Sequence, residues 1–283
     1  MFKNNYYMMD ELSLQNINQR IINIEPFEQS LKKLMADGKE PEVMSKPVLQ
    51  KVDNRAMISI NGPMMFNPGL FERILFDAVS TQDLMAAVDD VAQDNKIDQV
   101  LFDINSPGGE AHQIDVLAEK MRALSNVKQT ASLNTGMMAS ASYYAGSQAG
   151  KVFSTHKFNE TGSIGTVTAM VDSSEAFARE GHKVIKIATG ELKGAGMYGT
   201  KISQGFIDSV QKKVDALQVD FSSAVERSRP DADMADGSEA RSGQSFFQAD
   251  AERLGLSDGI KTVQEVFDYL NQGSRAARLR KTI

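Results

Sequence analysis

From Ala56 onward, short runs of β-forming residues alternate with longer runs of helical periodicity, and this alternation restricts the chain to few folds. The order is AMISING, TQDLMAAVDDVAQDN, DQVLFDIN, EAHQIDVLAEKMRAL, KQTASLN, a stretch rich in Ala, Ser and Tyr, KVFSTH, SIGTVTAMV, SSEAFAREG and KVIKIAT. Strands separated by helices pair in parallel, because each helix carries the chain back to the same end of the sheet. DQVLFDIN is nearly continuous in apolar residues apart from Asp103, which predicts a strand covered on both faces. The expected fold class is therefore α/β, built of stacked βαβ units. Beyond Lys193 the pattern becomes helical: a Gly-rich loop, GAGMYGTK, an amphipathic helix from about Ser203 to Arg229, then QADAERLG and TVQEVFDYL. A helical C-terminal part is expected there.

Ahead of this pattern, residues 1–48 read as a leader or propeptide-like segment. It carries one amphipathic run, PFEQSLKKLMADG, ending on Gly38 as helices often do, and a linker, KEPEVMSKP. Residues 49–270 form the main domain, and 271–283 a basic C-terminal tail. With 41% hydrophobic residues in 283, the chain can bury a large core. A net charge of −6 gives no electrostatic support for nucleic acid as a partner. Cysteine is absent, which excludes disulfides, a thiolate nucleophile and Cys-ligated metal. The first residues lack the apolar core of a signal peptide, and no run reaches the roughly 18 apolar residues that span a bilayer. A cytoplasmic protein without a membrane partner is expected.

Three stretches could carry chemistry. SPGG, Ser106 to Gly109, follows a strand and precedes a helix. Its Pro and two Gly permit backbone that turns amide N–H groups into a cleft, where they could hold an oxyanion or simply form a βα turn. In ASLNTGMMASASYYAGSQAG, residues 131–150, Ser140 falls where a strand gives way to a helix. It is a candidate nucleophile beside the free N–H of Ala141, or else an N-cap among small residues that let the helix pack closely. Ser142 competes for the role. Of the three histidines, His112, His156 and His182, none lies in a recognisable triad context, and G-x-S-x-G is absent. Lysine is the other base known for serine, provided its amine is neutral, which burial favours. Lys193, at the exit of KVIKIATGELK, is one candidate among many solvated lysines.

Taken together, SPGG, Ser140 with Tyr143 and Tyr144 behind it, TGSIG at 161–165 and TGELK at 189–193 resemble, in order and spacing, the motifs of peptidase family S49. That family includes signal peptide peptidase A and the lambda-type phage head maturation proteases. The resemblance spans about Ala56 to Leu270 and closes with SFFQADAERLGLSDGI. It implies a ClpP/crotonase-type fold and a serine peptidase with a Ser–Lys dyad, Ser140 as nucleophile and Lys193 as general base. The implied oxyanion donors are the N–H groups of Ala141 and of Gly109, with Gly108 the alternative to Gly109. Thr161 and Ser163 would orient the lysine or line the cleft. No metal or cofactor is implied. Two departures from the family pattern are SAS in place of S-G-G, and Gly194 after the lysine.

The resemblance further implies protein or peptide substrates and a homo-oligomeric ring in which Lys193 serves its own subunit or a neighbour. The family's membrane anchor is missing, and NIEPFEQSLKKLMADG is similar to the leader of the head proteases. The first expectation is a phage prohead (capsid maturation) protease in the host cytoplasm, cutting scaffold, portal or itself. The alternatives are a cytoplasmic peptidase like signal peptide peptidase A, and a catalytically inactive assembly or scaffolding protein of the same fold.

Overall fold

The computed structural model of the chain describes residues 7–9 and 47–281. The amphipathic run PFEQSLKKLMADG lies outside the described residues. A first strand, β1 (Tyr7–Met9), is followed by β2 (Leu49–Val52), β3 (Arg55–Asn61), β4 (Met64–Met65), α1 (Leu70–Phe76), β5 (Val79–Ser80) and α2 (Thr81–Gln93). Then come β6 (Gln99–Ser106), β7 (Gly108–Glu110), α3 (Ile114–Val127), β8 (Gln129–Ala139), α4 (Ala141–Gly146), β9 (Val152–Ser154) and β10 (Glu160–Gly162). The C-terminal part holds α5 (Ser174–Arg179), α6 (Gln204–Ser228), β11 (Ser245–Phe247), α7 (Gln248–Arg253) and α8 (Val263–Lys281).

Among the described residues the main sheet runs β11-β10-β8-β6-β3-β2, with β9 also paired to β8. The β3–β6, β6–β8, β8–β9 and β8–β10 pairs are parallel, and the outer pairs β2–β3 and β10–β11 are antiparallel. Thus α2 joins β3 to β6 and α3 joins β6 to β8, the stacked βαβ units expected from the alternation. A smaller sheet, β1-β7-β4-β5, stands beside it.

Strand β6 shows why its sequence is apolar on both faces. Val100, Phe102 and Ile104 point into one core with Leu84 and Val88 of α2, Leu117 and Met121 of α3, and Phe221 and Val225 of α6. Leu101 points the other way, joining Ala131, Leu133, Phe153 and, from α8, Val266 and Leu270. Each such side chain contributes roughly 1.5–3 kcal/mol when fully buried. Helix α2 starts where Ser80 Oγ accepts the Asp83 N–H at 3.1 Å, and α6 where Ser203 Oγ accepts that of Phe206 at 3.3 Å.

Three expectations change. SIGTVTAMV and KVIKIAT are not strands. Ser163, at φ 51°, turns the chain off the end of β10, and the second run finds no strand beside it among the described residues, leaving Ile185 and Ile187 exposed. β-Branched residues favour a strand only where a neighbouring strand offers hydrogen bonds and packing. At the C-terminus, the expected basic tail continues the backbone of α8 to Lys281.

The C-terminal part is stapled to the sheet by Asp258. Its carboxylate accepts from Lys151 Nζ at 2.7 Å, Arg229 Nη1 at 2.5 Å and the Val152 N–H at 2.8 Å. Burial pushes the Asp258 pKa up, but the bonds from Arg229, Lys151 and Val152 outweigh it and hold the group below its ordinary value. A depressed pKa stabilises the fold above the unfolded value of about 3.9 and loses that stabilisation as pH falls through the folded value. Asp258→Asn is expected to cost about 3 kcal/mol at pH 7. In urea denaturation, wild type should lose more stability than the variant between pH 5 and pH 3; parallel losses would exclude this role.

Candidate active site

The site grows from an irregularity in the β6–β8 pairing. Gln99 to Ile104 face Gln129 to Asn134 residue for residue, but Ser106 then faces Met138, so β8 carries extra residues over this stretch. Side chains hold the bulge. Thr135 Oγ1 donates to Asp103 Oδ1 at 2.8 Å, Asn105 Oδ1 accepts the Met137 N–H at 3.2 Å, and Asn134 Oδ1 accepts that of Gly136 at 3.0 Å. A Cβ on Gly136 would lie 2.4 Å from Asn105 Oδ1, so a larger residue here would have to displace the Asn105 side chain and its bond to Met137. Bulges re-aim the strand that carries them, and here the strand ends beside the SPGG turn.

Directly after β8 the chain reverses into α4 within one residue, Ser140, at φ 55° and ψ −121°. Such a conformation costs a non-glycine residue about 1–3 kcal/mol and persists only where its surroundings over-determine it. The Ser140 N–H donates to the Gly162 carbonyl at 2.8 Å, and its own carbonyl accepts the Tyr144 N–H at 2.8 Å. The hydroxyl is held loosely, with the Gly165 carbonyl 3.5 Å away. Ser140 is fully buried. Ala141 opens the helix, where intrahelical geometry leaves an N–H without a partner. With six residues α4 has little macrodipole, so only the local N–H groups matter.

Ser142 is committed elsewhere. Its Oγ accepts the Ala139 N–H at 2.9 Å and lies 2.8 Å from the carbonyl oxygens of Ser106 and Ala139, tying the end of β8 to the SPGG turn. The small residues serve close packing as well: a Cβ on Gly146 would fall 2.8 Å from Ile104 Cδ1. Behind the turn, Tyr143 Oη donates to the Leu256 carbonyl at 3.0 Å and Tyr144 Oη to Asp220 Oδ2 at 2.5 Å, with the Tyr144 ring stacked on Phe221. Burial, reinforced by the Asp220 carboxylate, raises the Tyr144 phenol far above its ordinary pKa, so it stays a neutral donor.

The other sequence candidates fall into two groups. Gly108, at φ 96°, gives its N–H to Ser106 Oγ at 3.2 Å, whereas Gly109 lies in β7 between β4 and β1. The Met64 carbonyl would be 1.9 Å from a Cβ on Gly109, so both glycines also answer to backbone sterics. Thr161 Oγ1 accepts from Asn134 Nδ2 at 3.0 Å and so braces β10 against β8. Ser163 is buried, with its N–H on the Gln244 carbonyl at 2.8 Å and no side-chain partner among the described residues. The end of β10 lies beside Ser140 through the bond of the Ser140 N–H to the Gly162 carbonyl, and the SPGG turn is tied to the start of α4 through Ser142 and Ser106.

Lys193 does not join them. It lies exposed in a turn between α5 and α6, without a side-chain hydrogen bond or ion pair among the described residues. The histidines also stay apart from Ser140: His112 packs edge-on to Phe66, His156 accepts the Phe158 N–H, and His182 lies near Phe177. Sequence reasoning missed Asn134, whose amide also donates to the Glu160 carbonyl at 2.8 Å. The available signal was a polar residue closing an apolar strand. No group of His, Asp and Glu among the described residues could hold a metal ion, and no described helix is long and apolar enough to cross a membrane.

Comparison with known proteins bears on this geometry. The chain is 26% identical over 190 residues to a Methanocaldococcus jannaschii protein with a provisional protease name, covering 65% of this chain and 59% of that one. It is 24% identical over 238 residues to an Enterococcus faecium protein provisionally named signal peptide peptidase SppA, covering 82% and 67%. With the chloroplastic serine protease SPPA of Arabidopsis thaliana it shares 26% identity over 188 residues, 65% of this chain and 27% of that one. The chain thus spans from about a quarter to two thirds of the length of these relatives. A solved enoyl-CoA hydratase/isomerase family member aligns over 81% of this chain and 74% of its own with 12% identity and a TM-score of 0.41. The profile of peptidase family S49 matches residues 122–277, more than half of the chain and inclusive of Ser140, TGSIG and Lys193, so the chain belongs to peptidase family S49.

Proposed function

We propose that the chain is a serine endopeptidase in which Ser140 attacks the peptide carbonyl and Lys193 is its base. The observation that carries this reading is the strained backbone of Ser140 at a strand-to-helix reversal, in a residue whose hydroxyl has no strong partner. In the proposed reaction Ser140 Oγ bonds to the carbonyl carbon as its proton passes to the neutral lysine amine. The N–H groups of Ala141 and Gly109 stabilise the oxyanion, each worth on the order of 3 kcal/mol. The C–N bond then breaks, the lysine returns the proton to the leaving amine, and water hydrolyses the acyl-enzyme. Thr161 acts through the Asn134 brace, and Ser163 lines the cleft.

The exposure of Lys193 makes assembly part of this reading. Residues 183–200 expose Ile185, Ile187 and Tyr198, apolar surface whose removal from water favours association. We propose that this arm packs against another copy in a homo-oligomeric ring, which brings Lys193 to a Ser140 of its own or a neighbouring subunit. For the setting, the leader-like N-terminal residues favour a phage prohead protease cutting scaffold, portal or itself. The names of the relatives favour peptide clearance in the manner of signal peptide peptidase A. Capsid and portal genes beside this one would decide for the prohead.

Fluorophosphonate is expected to label wild type at Ser140 and not Ser140→Ala, and hydrolysis of unfolded casein should disappear with it. Absence of wild-type labelling and cleavage at every pH would leave the inactive scaffold. Lys193→Ala should lower kcat at least ~10²-fold, the smallest usual contribution of a general base. An unchanged kcat would exclude Lys193 as the base. Ser142→Ala should retain labelling but lose about 1–3 kcal/mol in thermal unfolding, because it strands the buried Ala139 N–H.

A further inference from the structure

The smaller sheet contains a pairing that the reading above does not use. β1 lies antiparallel on β7, with Tyr7 opposite Glu110, Met8 opposite Gly109 and Met9 opposite Gly108. The other edge of β7 is taken by β4, Met64 opposite Gly109, so β1 covers the edge that would otherwise be open. That edge belongs to the turn that Ser142 ties to the start of α4, beside Ser140. An extended segment of the chain's own N-terminal region therefore occupies a strand edge at the candidate oxyanion glycine, while Ser140 is fully buried.

An open strand edge binds extended peptides by main-chain hydrogen bonds, largely irrespective of sequence. An edge strand of three residues can hold such a position and still be displaced, because few hydrogen bonds secure it and nothing among the described residues pairs with its far side. We infer that Tyr7–Met9 is an intramolecular stand-in for substrate: it covers the edge of β7 that a peptide must pair with, and the protein is self-inhibited until this strand is displaced. The inference rests on Ser140 as the nucleophile of a peptidase, and adds how access to it is controlled. Release by a competing peptide, or by rearrangement of the N-terminal segment on assembly, would couple activity to the presence of substrate or partner subunits.

The test uses the full-length chain with Met8→Pro, which removes one N–H and disfavours a paired strand, and Met8→Ala, which leaves the backbone able to pair. Amide hydrogen exchange at Gly108 to Glu110 should speed at least tenfold in Met8→Pro and stay near wild type in Met8→Ala. Fluorophosphonate labelling of Ser140 should accelerate at least fivefold in Met8→Pro alone. In a Ser140→Ala background, a fluorescein-labelled peptide from unfolded casein should bind Met8→Pro at least fivefold more tightly by anisotropy. Unchanged exchange would overturn the pairing itself. Faster exchange with unchanged labelling and peptide affinity would overturn its inhibitory role. If neither form is labelled yet the affinity difference appears, the peptidase reading fails and the strand's competition with peptide stands; if neither form is labelled and the affinity is also unchanged, both readings fall.

Discussion

The parallel pairing of β6 with β8, and the bulge that interrupts it, is the constraint on which the rest of the site depends. Six residues pair in register, and the extra residues around Thr135 to Met137 then let β8 reach past Ser106 before it ends. Without that offset the reversal at Ser140 would not sit beside the SPGG turn. Asp103, Asn105 and Asn134 hold the bulge with side chains, and Gly136 fits because a Cβ would collide with Asn105. The polar residues that interrupt these apolar strands thus have a geometric task.

Around this offset the molecule invests buried polar groups in fixing one short helix. Tyr143 reaches Leu256, Tyr144 reaches Asp220, and Ser142 reaches Ser106, so three consecutive residues anchor α4 to three parts of the chain. Each bond satisfies a group that would be costly if buried alone. Together they let the single residue ahead of the helix remain at a positive φ. The strain at Ser140 is balanced by its neighbours, which is how a reactive side chain can be presented without local flexibility.

Much of this was legible because it is written in local patterns. Continuous apolar character gave β6 two buried faces, and helical periodicity located α2, α3, α6 and α7. SPGG, Ser140 and TGSIG were singled out through motif order, and the bonds of Ser140 N–H to Gly162 and of Ser142 Oγ to Ser106 tie the three elements together. In the arm from 163 to 203 the helix of SSEAFAREG was legible, as α5, but the two β-type runs around it were not. Its β-branched residues show propensity, but a strand exists only where another strand receives its hydrogen bonds, and that partner cannot be read from the run itself. The same holds for Lys193, whose surroundings depend on how an exposed, apolar arm is packed.

Sequence alone determined the α/β class, the layering of the βαβ units, the family and the candidate nucleophile, because these follow from periodicity and from residue types at set spacings. Tertiary structure distinguishes Ser142 from Ser140, by spending one hydroxyl on Ala139 and Ser106 and leaving the other nearly free. It assigned Thr161 to a brace and left Lys193 in solvent. It also laid Tyr7–Met9 along the edge at Gly109. The physical reason is the same in each case: a hydrogen-bond partner distant in sequence leaves no periodic trace, and only the folded backbone brings donor and acceptor together.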